Sequence, residues 1–212
     1  GKKRGLVWNI EASERAIGFF RDVLRLDDGR PFVLQPWQAF VVGSVFGWQR
    51  TGGERRFRTA YVETGKGSGK TPMAAGIGLL LVSADGEQAA EVYSAATAAD
   101  QARICWRDAK RMVERSPALS ARLDLSVASI GHPSSGSWFR AVSSEHRGLD
   151  GKRVHGALVD ELHEHRDATV VDKMRAGIKA RRQGLIFEIT NAGYDRNSVC
   201  WQHHEYSLKL LE

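Results

Sequence analysis

The sequence predicts an α/β fold in which helices cover both faces of a mostly parallel central sheet. Patterns typical of strands alternate with patterns typical of helices along most of the chain. A glycine-rich segment, residues 64–71, lies between a predicted strand and a predicted helix. A second apolar stretch, Val154–Val159, ends directly in Asp160 and Glu161. Strands joined by crossover helices run parallel, so their carboxyl ends share one sheet edge.

Composition excludes several other classes of protein. The chain has 212 residues, of which 42% are hydrophobic and 26% charged, the values of one ordinary globular domain. No apolar run approaches the roughly 18 residues of a membrane span. Cys105 and Cys200 are too few for a disulfide framework. The net charge of +6 suits a polyanion such as nucleic acid, although a surface of mixed sign explains it equally well.

The first elements are two helices separated by a turn. Residues 10–26 carry apolar side chains at helical spacing, and Ser13 is the predicted N-cap. Residues 27–31 contain Asp, Gly and Pro and predict a turn. The second helix begins near Pro36, because proline is favoured at the first helical position, and ends near Trp48.

Strands and helices then alternate to the end of the chain. The predicted strands are residues 57–63, 90–95, 125–130, 137–142, 154–159 and 184–190. The predicted helices are residues 69–83, 98–115, 167–179 and 198–212. This order predicts crossover units, with the last helix leaving the domain.

Residues 64–71, Thr-Gly-Lys-Gly-Ser-Gly-Lys-Thr, have the position and composition of a phosphate-binding loop. Glycines let the backbone curl so that its N–H groups form an anion cradle, and the following helix adds its positive dipole end. Lys70 is predicted to bind the β- and γ-phosphates, and the Thr71 hydroxyl to bind Mg²⁺. The usual pattern has glycine where this chain has Thr64. The alternative is a flexible surface loop.

Asp160 and Glu161 form the second candidate motif. We expect Asp160 to hold Mg²⁺ through water, and Glu161 to orient and deprotonate an attacking water molecule. An apolar run ending in Asp-Glu is weak evidence alone, since many strands end this way. It gains weight from the phosphate loop about 90 residues upstream.

Thr190 and Asn191 follow the last predicted strand. Polar side chains there can sense the γ-phosphate and relay its hydrolysis to the loop beyond. A simple polar strand cap is the alternative.

Together these segments resemble the ATPase domain of a tailed-phage large terminase, the motor subunit that packages DNA. The resemblance covers nearly the whole chain and depends on the order and spacing of five motifs. These motifs are Phe-Val-Leu-Gln-Pro-Trp-Gln-Ala-Phe at 32–40, the phosphate loop, His-Arg-Gly-Leu-Asp-Gly at 146–151, Leu-Val-Asp-Glu-Leu-His at 158–163 and Thr-Asn-Ala-Gly at 190–193. The resemblance implies a RecA-like P-loop NTPase of the ASCE class.

The resemblance adds two nucleotide-binding residues. Members of the family commonly lack the leading glycine and carry a basic residue four positions before the Walker lysine, which is Lys66 here. With this addition the predicted nucleotide-contacting loop comprises Gly65, Lys66, Gly67, Ser68, Gly69, Lys70 and Thr71. The Leu-Gln-Pro-Trp-Gln segment resembles the family's adenine-recognition motif, which implies that Gln38 pairs with the base. A helix start that packs Trp37 is the alternative.

An arginine that acts in trans is also implied. In the family, an arginine before the Walker B strand reaches the neighbouring subunit's site, where a guanidinium suits the spread charge of the transition state. Arg147 is the candidate and Arg153 the reserve. Many relatives have a second arginine where this chain has Asp150, and either candidate could instead pair with a surface carboxylate.

The resemblance further implies ATP hydrolysis that pushes double-stranded DNA into a procapsid in the host cytoplasm. The implied partners are DNA, the portal protein, the small terminase subunit and like subunits in a ring, with no membrane. We expect an N-terminal helical lead-in at 1–33, an ATPase core at 34–197 and a linker helix at 198–212 towards an absent nuclease domain. Such a fragment would lack nuclease activity and hydrolyse ATP poorly as a monomer.

Two other functions remain open. A helicase is suggested by Asp-Glu-Leu-His at 160–163, and strand separation would favour it. A nucleic-acid-binding module with an inactive nucleotide site would bind DNA regardless of ATP.

A zinc site is not expected, because the histidines and cysteines lack ligand spacing. A basic cluster at Arg175, Lys179, Arg181 and Arg182 predicts a subunit interface or a DNA channel.

Overall fold

A computed structural model gives the structure of residues 4–143, 151–165 and 167–212. The helices of this part of the chain are α1 (Ile10–Gly18), α2 (Pro36–Gly47), α3 (Lys70–Ser83), α4 (Ala99–Arg115), α5 (Pro117–Ser120), α6 (Thr169–Gly177) and α7 (Val199–Leu211). The strands are β1 (Leu6–Trp8), β2 (Trp48–Arg50), β3 (Thr59–Glu63), β4 (Glu91–Ala96), β5 (Asp124–Leu125), β6 (Ile130–His132), β7 (Ser137–Ser143), β8 (Val154–Val159) and β9 (Leu185–Thr190).

A central sheet has the strand order β3-β9-β8-β4-β7-β6-β5. The pairs from β3 to β7 are parallel, and the last two pairs are antiparallel. Side chains of α1, α2, α3 and α4 fill the core on one face, and side chains of α6 and α7 fill the core on the other. The predicted mostly parallel sheet with helices on both faces is confirmed. No helix in the described ranges is long and apolar enough to cross a membrane.

Helix α3 is the central helix of the domain. Almost all of its residues are buried, because they are apolar on every side rather than along one stripe. A Cβ at Gly78 would lie 2.7 Å from Leu158 and 2.8 Å from Phe139, so glycine lets the helix approach the sheet closely. This packing fixes the start of α3, and with it Lys70, beside the sheet edge.

The N-terminal region differs from the prediction in its cap and its helix end. Asn9, and not Ser13, caps α1, since the Ala12 N–H donates to Asn9 Oδ1 at 3.0 Å while Ser13 is buried within the helix. The chain changes to a π-helical turn at Phe19–Val23, so the predicted helix over 10–26 stops early. Phe20 is fully buried in the main core.

Two short strands, which were not predicted, pair with each other outside the central sheet. β1 pairs antiparallel with β2, which begins at Trp48, where the sequence predicted the end of a helix. The rings of Trp8 and Trp48 meet edge to face with centroids 5.3 Å apart. This contact depends on a partner 40 residues away along the chain, which local patterns do not contain.

The strand predicted over residues 125–130 is also corrected. The structure has two strands there, β5 and β6, joined by a tight turn. The Ser126 N–H donates to the Ser129 carbonyl at 2.9 Å, and the Ser126 hydroxyl accepts from the Ser129 N–H at 2.9 Å. Serine side chains that bond to the nearby backbone favour turns over extended chain.

Two arginines of the predicted basic cluster form ion pairs within the domain. Arg181 is buried and pairs with Glu87 at 2.9 Å, while its Nε donates to the carbonyl of Arg153 at 3.0 Å. Arg182 pairs with Glu54. Arg181 is therefore committed to contacts within the domain, while Arg182 stays largely exposed beside Glu54, and the subunit interface or DNA channel stays a prediction.

Candidate nucleotide-binding site

The candidate residues meet at the carboxyl edge of three neighbouring parallel strands. β3, β9 and β8 end at Glu63, Thr190 and Val159, so the chain leaves all three at the same edge. The Thr64 N–H donates to the Thr190 carbonyl at 3.0 Å, which fixes the start of the loop beside β9. This edge is where open α/β sheets bind ligands.

The loop over residues 64–71 has the curled backbone that an anion cradle requires. Gly67 and Gly69 have φ of 78° and 84°, in the left-handed region that favours glycine. Gly69 is the N-cap of α3, so the positive end of that helix dipole faces the loop. Gly65 and Lys66 are exposed at its outer turn. Ser68 Oγ is buried without a hydrogen-bond partner among the described residues, an orphaned atom that a bound phosphate would satisfy.

Lys70 joins three of the predicted motifs. Its side chain is buried, and Nζ donates to Asn191 Oδ1 at 2.6 Å. The same Nζ lies 3.8 Å from Glu161 Oε1. Lys70 of the loop, Glu161 after β8 and Asn191 after β9 therefore form one cluster, as their order along the chain predicted.

Asp160 and Thr71 provide two neighbouring oxygen ligands. Asp160 is 3% exposed, and its carboxylate accepts hydrogen bonds from the backbone N–H of Glu161 and from the Thr71 hydroxyl. Burial, and next the charge of Glu161, raise the pKa of Asp160 to about 6. Mg²⁺ prefers oxygen ligands, and a cation would offset the cost of this buried carboxylate. The two side chains therefore fit the predicted Mg²⁺ site.

Glu161 stands in an uncommon backbone conformation. Its φ of 48° and ψ of 54° lie in the left-handed region, which non-glycine residues seldom occupy and which recurs at functional sites. Oε2 accepts a hydrogen bond from Asn191 Nδ2 at 3.3 Å and lies 3.2 Å from His163 Nδ1. From the sequence, His163 was weighed as part of the motif at 158–163 and as a zinc ligand, and its contact with Glu161 was missed. Its position two residues after Glu161 is the signal that could have found it.

The Thr190 side chain makes its contacts within the protein. Its side chain is fully buried, donates to the Asn191 carbonyl at 2.9 Å and accepts from the His163 N–H at 3.1 Å. Of the two residues predicted to sense the γ-phosphate, Asn191 is the one that contacts Lys70 and Glu161 directly.

Gln38 braces the loop from α2. The side chain is 3% exposed; Nε2 donates to the Gly69 carbonyl at 3.2 Å, and Oε1 accepts from the Gln35 N–H at 2.9 Å. The bond from the Gln35 N–H is half of a capping box at the start of α2, and the bond to the Gly69 carbonyl links that helix to the phosphate loop. Adenine recognition by Gln38 stays a prediction.

Of the two arginines that are candidates to act in trans, the structure describes one. Arg147 lies outside the described residues. Arg153 is exposed just before β8, about 20 Å along that strand from Asp160, and its N–H donates to Glu91 Oε2 at 3.1 Å. It therefore lies at the sheet edge opposite the cluster of its own chain.

Comparison with known proteins places the chain in a family. A family described as "Terminase large subunit, ATPase domain" matches residues 36–209. The crystal structure of the bacteriophage HK97 large terminase superposes with a TM-score of 0.83 at 20% identity, covering 94% of this chain and 42% of that one. The large terminase ATPase domain of Thermus phage P74-26 gives a TM-score of 0.58 at 16% identity, covering 77% of this chain and 67% of that domain.

Two further similarities cover a smaller share of this chain or of the matched protein. Protein YmfN of Escherichia coli K12 is 39% identical over 62 residues, which is 29% of this chain and 14% of YmfN. The large terminase of a thermophilic bacteriophage in complex with ADP gives a TM-score of 0.50 at 13% identity, covering 67% of this chain and 41% of that one. This chain thus spans less than half of the HK97 protein and of the ADP-bound terminase. The fold is RecA-like, as predicted, and the chain belongs to the terminase large subunit ATPase domain family.

Proposed function

We propose that the chain binds ATP with Mg²⁺, hydrolyses it and uses the cycle to move double-stranded DNA into a viral procapsid. The observation that carries this proposal is the cluster of Lys70, Glu161 and Asn191, drawn from three separate segments, at the edge where parallel sheets bind ligands. Membership of the terminase family supports DNA packaging as the work that the cycle performs.

The phosphates of ATP would lie on the loop over residues 64–71. Backbone N–H groups and the start of α3 offer positive partial charge, and Lys70 supplies a full charge to the β- and γ-phosphates. The thermophilic phage terminase solved with ADP supports a nucleotide as the ligand of this fold. Gln38 and Lys66 complete the proposed nucleotide contacts, Gln38 at adenine and Lys66 beside the phosphates.

Thr71 and Asp160 would hold Mg²⁺, Asp160 through water. The ion supplies positive charge that neutralises the phosphate oxygens during transfer. Glu161 would accept a proton from the water molecule that attacks the γ-phosphorus, while the bond from that phosphorus to the bridging oxygen of ADP breaks; ADP and inorganic phosphate are the products. Asn191 contacts both Lys70 and Glu161, so it is placed to relay loss of the γ-phosphate to the chain beyond β9.

The remaining parts of the proposal come from the family. Arg147 would act in trans within a ring of like subunits, with Arg153 as the reserve. The portal protein and the small terminase subunit would be partners on the procapsid, in the host cytoplasm. Because an arginine in trans needs an ordered ring, we expect slow turnover from the isolated chain.

Replacing Glu161 by glutamine tests the proposed reaction. The amide keeps the shape of the side chain but cannot take a proton from water, so turnover should fall about 100-fold or more while ATP affinity is kept. Phosphate release and equilibrium binding of ATP measure the two effects. Normal turnover by Glu161→Gln would contradict the assignment, and ATP-dependent strand separation would favour a helicase.

A further inference from the structure

The carboxylate of Glu161 is held from two sides by different kinds of partner. His163 Nδ1 lies 3.2 Å and Asn191 Nδ2 lies 3.3 Å from Oε2. Lys70 Nζ lies 3.8 Å from Oε1. The two oxygens are therefore distinguished: Oε2 faces the sheet edge, and Oε1 faces the lysine of the phosphate loop.

The imidazole of His163 is itself fixed on both sides. Its backbone N–H donates to Thr190 Oγ1 at 3.1 Å, and its ring Nδ1 lies 3.1 Å from the same oxygen. The other ring nitrogen, Nε2, lies 3.2 Å from Glu164 Oε1. The side chain is only 14% exposed. The ring is thus held between the turn after β8 and the end of β9.

The chemistry of the contact sets its direction. The Thr190 hydroxyl gives its own proton to the Asn191 carbonyl, so it accepts the Nδ1–H of His163 at 3.1 Å. Glu161 Oε2 lies 3.2 Å from the same Nδ1, and since a carboxylate only accepts, the N–H edge of the imidazole faces that oxygen. The amide donor of Asn191 and the close N–H edge of His163, both at Oε2, restrict rotation of the carboxylate about its terminal bond. Because Glu161 stands in the left-handed region outside any regular helix or strand, its direction depends on such contacts.

We propose that His163 is a positioning residue for hydrolysis: it holds Glu161 Oε2, so that Oε1 faces the phosphate loop and accepts the proton of the attacking water. Through Thr190 it also ties the orientation of Glu161 to the end of β9. This inference rests on the proposed function, because it assumes that Glu161 is the base.

Two variants of His163 separate a polar contact from simple packing. His163→Leu keeps a similar volume but removes the donor, and we expect turnover to fall about 10- to 100-fold with ATP affinity within about twofold of wild type. His163→Asn places an amide N–H near the position of Nδ1 and should recover most of that loss. Thermal unfolding of each variant checks that the fold is retained.

A control variant and a spectroscopic readout make the test independent of slow turnover. Glu164→Gln alters only the exposed partner of Nε2 and should leave turnover unchanged. In ¹⁵N-labelled protein, the Nδ1 resonance of His163 should shift in Glu161→Gln, since a neutral amide is a weaker acceptor than a carboxylate.

The outcomes separate the role of His163 from the proposed function. Wild-type turnover by His163→Leu, with Glu161→Gln inactive, would overturn the role of His163 and leave the proposed function standing. Equal loss in His163→Leu and His163→Asn would also overturn it, because size and not the donor would then matter. An Nδ1 resonance indifferent to Glu161→Gln would overturn the contact itself. Normal turnover by Glu161→Gln would instead overturn the proposed function.

Discussion

One aspartate is buried at each end of the strands of the central sheet. The charges that surround these two carboxylates are opposite in effect. Near the amino end of β8, Asp85 accepts from Arg55 at 2.8 Å and lies 2.6 Å from His155 Nε2. At the carboxyl end, Asp160 accepts from a backbone N–H and a hydroxyl, both neutral, and the like charge of Glu161 outweighs the attraction of Lys70.

The pKa values reflect this difference. Burial alone would raise the pKa of Asp85, but Arg55 and His155 lower it below its ordinary value. Burial and Glu161 raise the pKa of Asp160 to about 6. A buried charge that is already paired stabilises the fold and has little left to offer a ligand. A buried charge without a paired cation is costly until a ligand brings one, which is the behaviour expected of a binding site.

Removing the carboxylate of Asp85, which is paired with Arg55, should give the largest change in stability. Asp85→Ala leaves Arg55 and His155 buried without their carboxylate, which should lower the free energy of unfolding by about 3–5 kcal/mol. ATP affinity of the folded fraction should not change, because the cluster lies at the other end of the sheet. Urea unfolding measures the loss.

Asp28→Ala is the matched control for this variant. Asp28 forms an exposed ion pair with Arg30 at 2.7 Å, and solvent-exposed pairs contribute little. An equal loss of stability in both variants would show that burial does not decide the outcome.

Neutralising Asp160, at the carboxyl end of β8, should change the free energy of unfolding in the opposite direction. Asp160→Asn keeps an acceptor for the Glu161 N–H but removes a charge that is costly to bury, so it should raise the free energy of unfolding at pH 8 by about 1–3 kcal/mol. The same change should abolish the Mg²⁺ dependence of ATP binding. A destabilised Asp160→Asn would contradict the comparison.

The pH dependence of that gain follows from the raised pKa. Below about pH 4, Asp160 is protonated in both the folded and the unfolded chain, and no charge is buried. Above about pH 6 it is charged in both, and the folded state bears the full cost. The advantage of Asp160→Asn over wild type should therefore be largest at about pH 7–8 and shrink as the pH falls towards about 4. An advantage that stays constant with pH would assign it to another cause.

The smallest expected effect on stability and ATP binding is the difference between two glycine substitutions in the phosphate loop. Gly69 has a φ of 84°, and a Cβ there would lie 3.0 Å from Gln38 Nε2, so Gly69→Ala should cost about 1 kcal/mol or more and weaken ATP binding. Gly65 has no such φ, and a Cβ there would have no atom within 4 Å, so Gly65→Ala should be nearly silent. Equal effects on ATP affinity would show that the loop backbone is not set by these angles.

The sequence predicted the parts of this comparison that depend on local pattern. Alternating strands and helices predicted the parallel sheet, and residues placed directly after strand ends predicted which side chains meet at its edge. Lys70, Asn191 and Glu161 are brought together as that order implied.

Contacts that depend on three-dimensional packing were not predictable in this way. His155 and Asp85 are 70 residues apart, and no pattern in either segment indicates the other. The brace from Gln38 to the phosphate loop spans 31 residues, and the His163 contact depends on the left-handed turn at Glu161. Such partners follow from tertiary structure and not from spacing along the chain.

The central claim is that the carboxyl end of the sheet, where Asp160 is buried, is a nucleotide site. Calorimetric titration with a non-hydrolysable ATP analogue, with and without Mg²⁺, tests it most directly. We predict binding that strengthens with Mg²⁺ and disappears in Lys70→Ala, because that side chain supplies the charge facing the phosphates. Tight binding retained by Lys70→Ala, or no binding by the folded wild-type chain, would contradict the account.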